Sequence, residues 1–277
     1  MRPYESDGLP AYRQLPMLVV LPETTAQVSA VLRYCHENGI KVVPRGAGTS
    51  LSGGALPLVD GVLLGMAKFN RIREIDFENR VAVVEPGVTN LAVTQAVEHA
   101  GFYYAPDPSS QIACTIGGNV AENSGGVHCL KYGMTTNNLL GCELVLMTGE
   151  IVRVGGKHLD AGGYDLLGVI TGSEGLLGVV TEITVRILKK PESARAVLVG
   201  FASSEDAGEC VSKIIGAGIP YWGPPAHLLP ECTNAVPGVR YLLFNEGLWG
   251  HSMRRPDPPR PVRRGDPARP RPRRADT

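Results

Sequence analysis

The sequence predicts an α+β fold: two α/β subdomains built on buried strands, then an incomplete further α+β unit and a disordered tail. Three observations lead there. Short apolar runs bounded by Gly, Pro and Asn recur through residues 1–190. One of them is followed by an amphipathic helical pattern and a second buried run, the mark of an α/β unit. Glycine is abundant, at 34 residues, and is dense in three loops that begin or end strands, where the backbone must turn tightly or approach something closely.

The first strand is expected over 17–21, closed by Pro22. A helix then opens at 23–27 with Thr24 or Thr25 as its cap, because a hydroxyl there accepts from an unpaired N–H of the first turn. Val28, Val31, Leu32 and Cys35 recur at helical spacing, and Asn38-Gly39 suits the left-handed residue that stops a helix. A second buried strand follows over 40–43, so strand–helix–strand predicts a parallel pair with a right-handed crossover. Further strands are expected over 62–66, over 81–85 with alternating burial, and over 179–188. Residues 143–147 and 151–154 form a hairpin about Thr148-Gly149-Glu150. Residues 89–101 read as a helix ended by Gly101, and 105–138 as one long loop dense in Gly, Asn and Ser. A loop of that length inside a compact domain points to function. A strand over 196–201 and a helix from Ser203 or Ser204 to about Ile215 begin a new unit.

Residues 1–190 are therefore expected to form one domain, 191–219 the start of an incomplete second, and 220–277 a largely disordered tail. Only 239–244 has strand character in that tail. Residues 254–277 hold nine arginines and three aspartates. Arg/Pro/Gly/Ala text of this kind is what GC-rich coding DNA gives in a shifted frame, so a truncated or frameshifted product is expected. A functional basic tail is the weaker reading, since lysine and interleaved aromatics are missing from it.

The formal net charge is zero, so outside the tail the chain is mildly acidic and nucleic acid is not an expected partner. No apolar run approaches the ~18 residues of a membrane span, and the first residues lack the apolar core of a signal peptide. The six cysteines are scattered without CxxC or zinc spacing, so no metal site is expected and the thiols read as reduced ones in a cytoplasmic protein.

The sharpest motif is PRGAGTSLSGG at 44–54, directly after a buried strand. Successive glycines let main-chain N–H groups converge on one point and make a nest for phosphate oxygens. A dinucleotide fingerprint of the Rossmann kind needs a further glycine where Leu51 stands, and a P-loop needs Gly-Lys-Ser/Thr where Gly53-Gly54 is followed by Ala55. A turn without a ligand is the alternative. A second run, PDPSSQIACTIGGNVAENSGGVHCLKYG at 106–133, and a third, GSEGLLGVVT at 172–181, repeat the same chemistry. Three such runs in one domain suggest one extended, polar-edged ligand.

Together with the DAGGYDLLGVI segment before the third run, these motifs resemble the FAD-binding (PCMH-type) domain of the vanillyl-alcohol-oxidase superfamily. The resemblance is strongest to its glycolate oxidase flavin subunit, D-lactate dehydrogenase and D-2-hydroxyglutarate dehydrogenase branch, over roughly 3–219. It implies FAD as cofactor. Arg45, Gly46, Ala47, Gly48, Thr49, Ser50, Gly53 and Gly54 would cradle the pyrophosphate. Pro108, Ser109, Thr115, Gly117, Gly118 and Asn119 would line the flavin and ribityl chain, with Asn123, Gly125 and Gly126 continuing that wall. Glu174, Gly178 and Val179 would meet the far side and adenine end.

The resemblance further implies oxidation of a small 2-hydroxy acid, glycolate or D-lactate, to the 2-oxo acid. Electrons would pass to an iron–sulfur subunit, in the cytoplasm or at the inner face of the membrane. The alternative is an FAD-binding fragment without turnover. Substrate binding and the base belong to a cap domain of which 191–219 is the opening, so no catalytic residue is assigned in this chain. His128 matches no covalent flavin attachment. Asp160 and Tyr164-Asp165 are expected to order their loop, Tyr132 either to border the flavin or to pack, and Cys114 to pack.

Overall fold

A computed structural model describes residues 1–158, 162–191, 197–201, 203–217 and 240–244. Two sheets meet along one apolar seam. The first contains β1 (Leu18–Val20), β2 (Lys41–Arg45) and β3 (Gly61–Gly65), all parallel, in the order β1-β3-β2. The expected direct pairing of the first two strands is corrected here: β3 lies between them. Its GVLLG is buried at every position, which suits a central strand, whereas β1 and β2 are partly exposed edges.

Helix α1 (Thr25–Glu37) crosses between β1 and β2. Thr24 is its cap, accepting from the Gln27 N–H at 3.3 Å, and Val28, Leu32 and Cys35 form its buried face. It ends at Asn38, before Gly39 at φ +64°.

The second sheet is antiparallel, in the order β4-β5-β9-β7-β8. Its strands are β4 (Ile72–Asp76), β5 (Val81–Val84), β7 (Leu139–Val145), β8 (Ile151–Gly155) and β9 (Val179–Arg186). Strand β5 is buried throughout and does not alternate as expected. Between β5 and β7 come α2 (Asn90–Val97), a 3-10 turn stopped by Gly101 at φ +76°, and β6 (Phe102–Tyr103). The expected long loop then holds α3 (Ile116–Glu122), α4 (Cys129–Tyr132) and a 3-10 turn at Thr135–Asn138. Helix α5 (Leu166–Ile170) is capped by Asp165, whose carboxylate accepts from Gly168 N–H at 2.9 Å. Asp160 lies outside the described residues. Strand β10 (Leu188–Lys189) pairs with β6.

Strand β11 (Val197–Phe201) and α6 (Ser204–Gly216), capped by Ser203, follow. Strand β12 (Arg240–Phe244), where the sequence of that segment has strand character, is antiparallel to β11. The remainder of 220–277 lies outside the described residues. No helix among the described residues is long and apolar enough to cross a membrane. Cys35, Cys114, Cys129, Cys142 and Cys210 are free thiols.

The seam between the sheets is a core of Val28 and Leu32 from α1, Leu64 from β3, Met66, Phe69, Val145 from β7 and Val179 from β9. Polar links run alongside it. Thr25 and Thr181 hydroxyls both donate to Glu143 Oε1 at 2.9 Å, and Arg153 donates to its other oxygen at 2.7 Å.

At the end of β5, Glu85 is fully buried yet ionised. Burial alone would raise its pKa, but donation from the Arg71 guanidinium and backbone N–H and from Arg73 outweighs this and holds it below its ordinary 4.5. A depressed folded-state pKa contributes stability above the unfolded value that disappears as pH falls through the folded one. Acid unfolding is therefore expected to set in below about pH 4.5. A Glu85→Gln chain, less stable at neutral pH, should show a shallower loss, measured as thermal midpoint against pH.

Candidate functional site

Strand β2 delivers the first glycine run from the carboxyl edge of the parallel sheet, where open α/β sheets place ligands. Gly48 sits at φ +72° and Gly53 at φ +82°, so the loop can turn its N–H groups in one direction. The second run is fixed from behind by the segment after β5. Gly117 N–H donates to the Pro86 carbonyl and Ile116 N–H to that of Val88, both at 2.9 Å.

The three runs touch one another. A Cβ on Gly46 would stand 2.7 Å from Thr115 Oγ1, which leaves the first run only a glycine's thickness from the second. Gly172 and Glu174 N–H donate to the Val120 and Ala121 carbonyls of α3 at 2.8 Å, tying the third run to the second. Gly175 packs on Pro44, which joins third to first, and Gly54 faces the carboxylates of Glu122 and Glu174. Glu174 itself is left-handed at φ 54°, an uncommon state for a residue with a Cβ.

Together they enclose a cavity of about 560 Å³. Its walls include Arg45, Gly46, Ala47, Gly48, Thr49, Ser50 and Gly54 from the first run. Thr115, Gly117, Gly118 and Asn119 come from the second and Glu174, Gly178 and Val179 from the third. The other residues singled out from the sequence lie off the wall. Gly53 faces open space, and Pro108 accepts a turn bond from Gln111. Ser109 is exposed beside Pro108. Asn123 ends α3 at φ 50° and accepts from Thr136 N–H. Gly125 packs on Met134 and Cys129, and Gly126 has no room for a Cβ against Asp107. All but Gly53, which lies in the first run, belong to the second run.

Sequence reasoning missed Met66, Pro86 and Ile170 on the wall. Only Pro86 left a signal, the Glu85-Pro86-Gly87 turn directly after a buried strand.

The site's polarity is mostly main chain. Its ionisable wall residues are Arg45, Cys114, Glu122 and Glu174. The Arg45 guanidinium is already engaged with the carbonyls of Ser6 and Ala55. Burial lowers its pKa, against the opposing influence of Asp7 and Tyr4. Burial pushes the Cys114 thiol up, which keeps it neutral and suits packing. Thr115 Oγ1 and Asn119 Nδ2 are buried without a hydrogen-bond partner. A buried polar atom left unmade costs about 1–3 kcal/mol, so two on one cavity wall fit a ligand carrying acceptors.

His128 Nδ1 lies 2.8 Å from Asp107 Oδ2, and the His128 backbone N–H donates to Asp107 Oδ1 at 3.3 Å. The Tyr132 ring packs edge-on against Tyr103.

Residues 16–155 match the FAD binding domain family. The chain is 59% identical over 217 residues to glycolate oxidase subunit GlcD of Escherichia coli strain K12, a match covering 78% of this chain and 44% of that protein. The Bacillus subtilis GlcD subunit is 45% identical over 78% of this chain and 46% of its own length. An Archaeoglobus fulgidus D-lactate dehydrogenase is 40% identical over 71% of this chain and 44% of its own length. The chain thus spans less than half the length of these relatives. A solved structure of alkyldihydroxyacetonephosphate synthase superposes with a TM-score of 0.67 at 19% identity, covering 82% of this chain and 47% of that one, which establishes the shared fold. With its glycine runs closed around one cavity, the chain belongs to the FAD binding domain family.

Proposed function

We propose that this chain supplies the FAD site of a dehydrogenase that oxidises a small 2-hydroxy acid, glycolate or D-lactate, to the 2-oxo acid. The observation that carries the proposal is the meeting of three glycine runs in one cavity whose wall leaves Thr115 Oγ1 and Asn119 Nδ2 unpaired. In this reading the amides of 46–50 and 54 take the diphosphate, and Thr115 with 117–119 takes the flavin and ribityl side. Glu174, Gly178 and Val179 take the adenine end. Gly53, Pro108, Ser109, Asn123, Gly125 and Gly126 act through loop shape. FAD, when bound, accepts hydride from the substrate carbon.

The substrate class comes from the named relatives, glycolate oxidase subunits and a D-lactate dehydrogenase. Their designation as a subunit supports an electron-accepting partner, which we read as an iron–sulfur protein, in the cytoplasm or at the inner membrane face. Residues 1–190 are read as the FAD-binding domain and 191–219 as the opening of a substrate-binding one.

Hydride transfer from a hydroxy acid also needs a base for the hydroxyl proton and a cation for the carboxylate. Among the described residues the cavity wall has no His or Lys, and its one Arg is committed to carbonyls. This favours an FAD-binding half that needs further residues for turnover. Anaerobic addition of glycolate or D-lactate to the FAD-loaded chain should leave the flavin oxidised. Bleaching of the flavin band would overturn the half-site reading, and failure of the folded chain to take up FAD would overturn the cofactor.

A further inference from the structure

Residues 4–8 lie outside the family match at 16–155 and contribute nothing to the cavity wall. They are nevertheless built onto the back of the first glycine run. Arg45, the last residue of β2, is 8% exposed. Its guanidinium donates to the Ser6 carbonyl at 2.8 Å and to the Ala55 carbonyl at 3.2 Å. It also lies 5.7 Å from the centre of the Tyr4 ring, within cation–π range.

The fit is close on both faces of the loop. A Cβ on Gly8 would stand 2.6 and 2.7 Å from the carbonyl oxygens of Thr49 and Ser50, and one on Gly48 would run into the Arg45 guanidinium. The segment is itself folded back: Gln14 N–H donates to the Glu5 carbonyl at 2.7 Å, and Leu9 N–H donates to Asp7 Oδ1 at 2.8 Å. One side chain therefore ties the start of the loop, its exit at Ala55 and the N-terminal segment together. A loop held this way meets a ligand with less ordering left to do.

We propose that residues 4–8 and Arg45 form a clamp that preorganises the main-chain nest at 46–54 for a diphosphate, making Tyr4 and Arg45 positioning residues that act without touching it. The proposal rests on the FAD reading for the identity of the ligand, but the clamp's hold on the loop can be measured without any ligand.

The test compares the full chain with Tyr4→Ala, Tyr4→Phe and Arg45→Met. Affinities for FAD and for riboflavin, which lacks the diphosphate, are read from flavin fluorescence. Amide exchange over 46–54 is read in the flavin-free chain. Tyr4→Ala should weaken FAD binding about tenfold while riboflavin binding stays as in the wild type. Exchange at 46–54 should quicken with no change across 139–186. Tyr4→Phe, which keeps the ring, should behave as wild type, and Arg45→Met should exceed Tyr4→Ala.

Unchanged FAD affinity and exchange in Tyr4→Ala would overturn the clamp, as would an equal loss for both flavins. Should the wild-type chain bind no FAD, the cofactor reading fails. The clamp is then judged by exchange: faster in Tyr4→Ala upholds it, and unchanged overturns it.

Discussion

Gly118→Leu is expected to lower FAD affinity between about tenfold and about a hundredfold while leaving the flavin-free protein as stable as wild type. The position is unusual among the wall glycines. A Cβ there meets only Thr115 Oγ1, at 3.5 Å, so the space beyond it is the cavity. Inside α3, replacing Gly by Leu favours the helix by up to about 1 kcal/mol. The side chain then occupies ligand volume, and overpacking of that kind costs about 1–3 kcal/mol, which sets the expected loss of affinity. Gly117→Ala is the contrasting variant. Its Cβ would stand 2.5 Å from Pro86 Cβ, so it should destabilise the fold itself by about 1–3 kcal/mol. Thermal midpoints with and without FAD separate the two: Gly118→Leu loses only the FAD-induced shift, and Gly117→Ala loses baseline stability.

Phe69→Ala is expected to destabilise the chain by about 3–5 kcal/mol, the cost of emptying a buried aromatic site. Phe69 has no exposed surface and lies in the seam with Val28 and Leu32 of one layer and Val145 and Val179 of the other. Its carbonyl also accepts from Gly87 N–H at 2.6 Å, beside Pro86 of the cavity wall. The midpoint should fall by roughly 10 °C, and FAD affinity should fall with it because Met66 and Val179 belong to both the seam and the wall. Phe69→Leu, which keeps most of the volume, should recover most of both. Thermal unfolding with parallel FAD titration checks this. A variant that loses stability but keeps wild-type affinity would show that the seam does not hold the site.

Where local rules suffice, the sequence was readable. Thr24 caps α1 because a hydroxyl precedes a helical apolar stripe, and Gly149 turns the β7–β8 hairpin because it can take φ +84°. Strand β4 was missed since IREID carries three charges in five residues, as an edge strand can when its side chains pair with Glu85, Glu182 and Lys157. The order β1-β3-β2 was missed because pairing is decided by which strand is buried on both faces, a tertiary outcome. The short helices α3 and α5 carry glycine in their interiors and have too few turns for periodicity to register.

The candidate site was legible at the glycines because close approach excludes a Cβ whatever the distance along the chain. Gly46 against Thr115 and Gly178 against Val145 show that demand met. Less legible was the use of Arg45. A basic residue opening a phosphate-binding run suggests a contact with the anion, yet its guanidinium turns back to Ser6 and Ala55. Only the fold of residues 4–8 reveals this. Met66 and Ile170 left no trace, since an apolar wall residue looks like any core residue.

Amide hydrogen exchange of the purified chain with and without FAD tests the central claim most directly, that three separate runs enclose one dinucleotide. FAD should slow exchange together over 46–54, 115–119 and 173–179, with a common dependence on FAD concentration. Protection confined to one run, or titrating differently among the three, would contradict a single shared site.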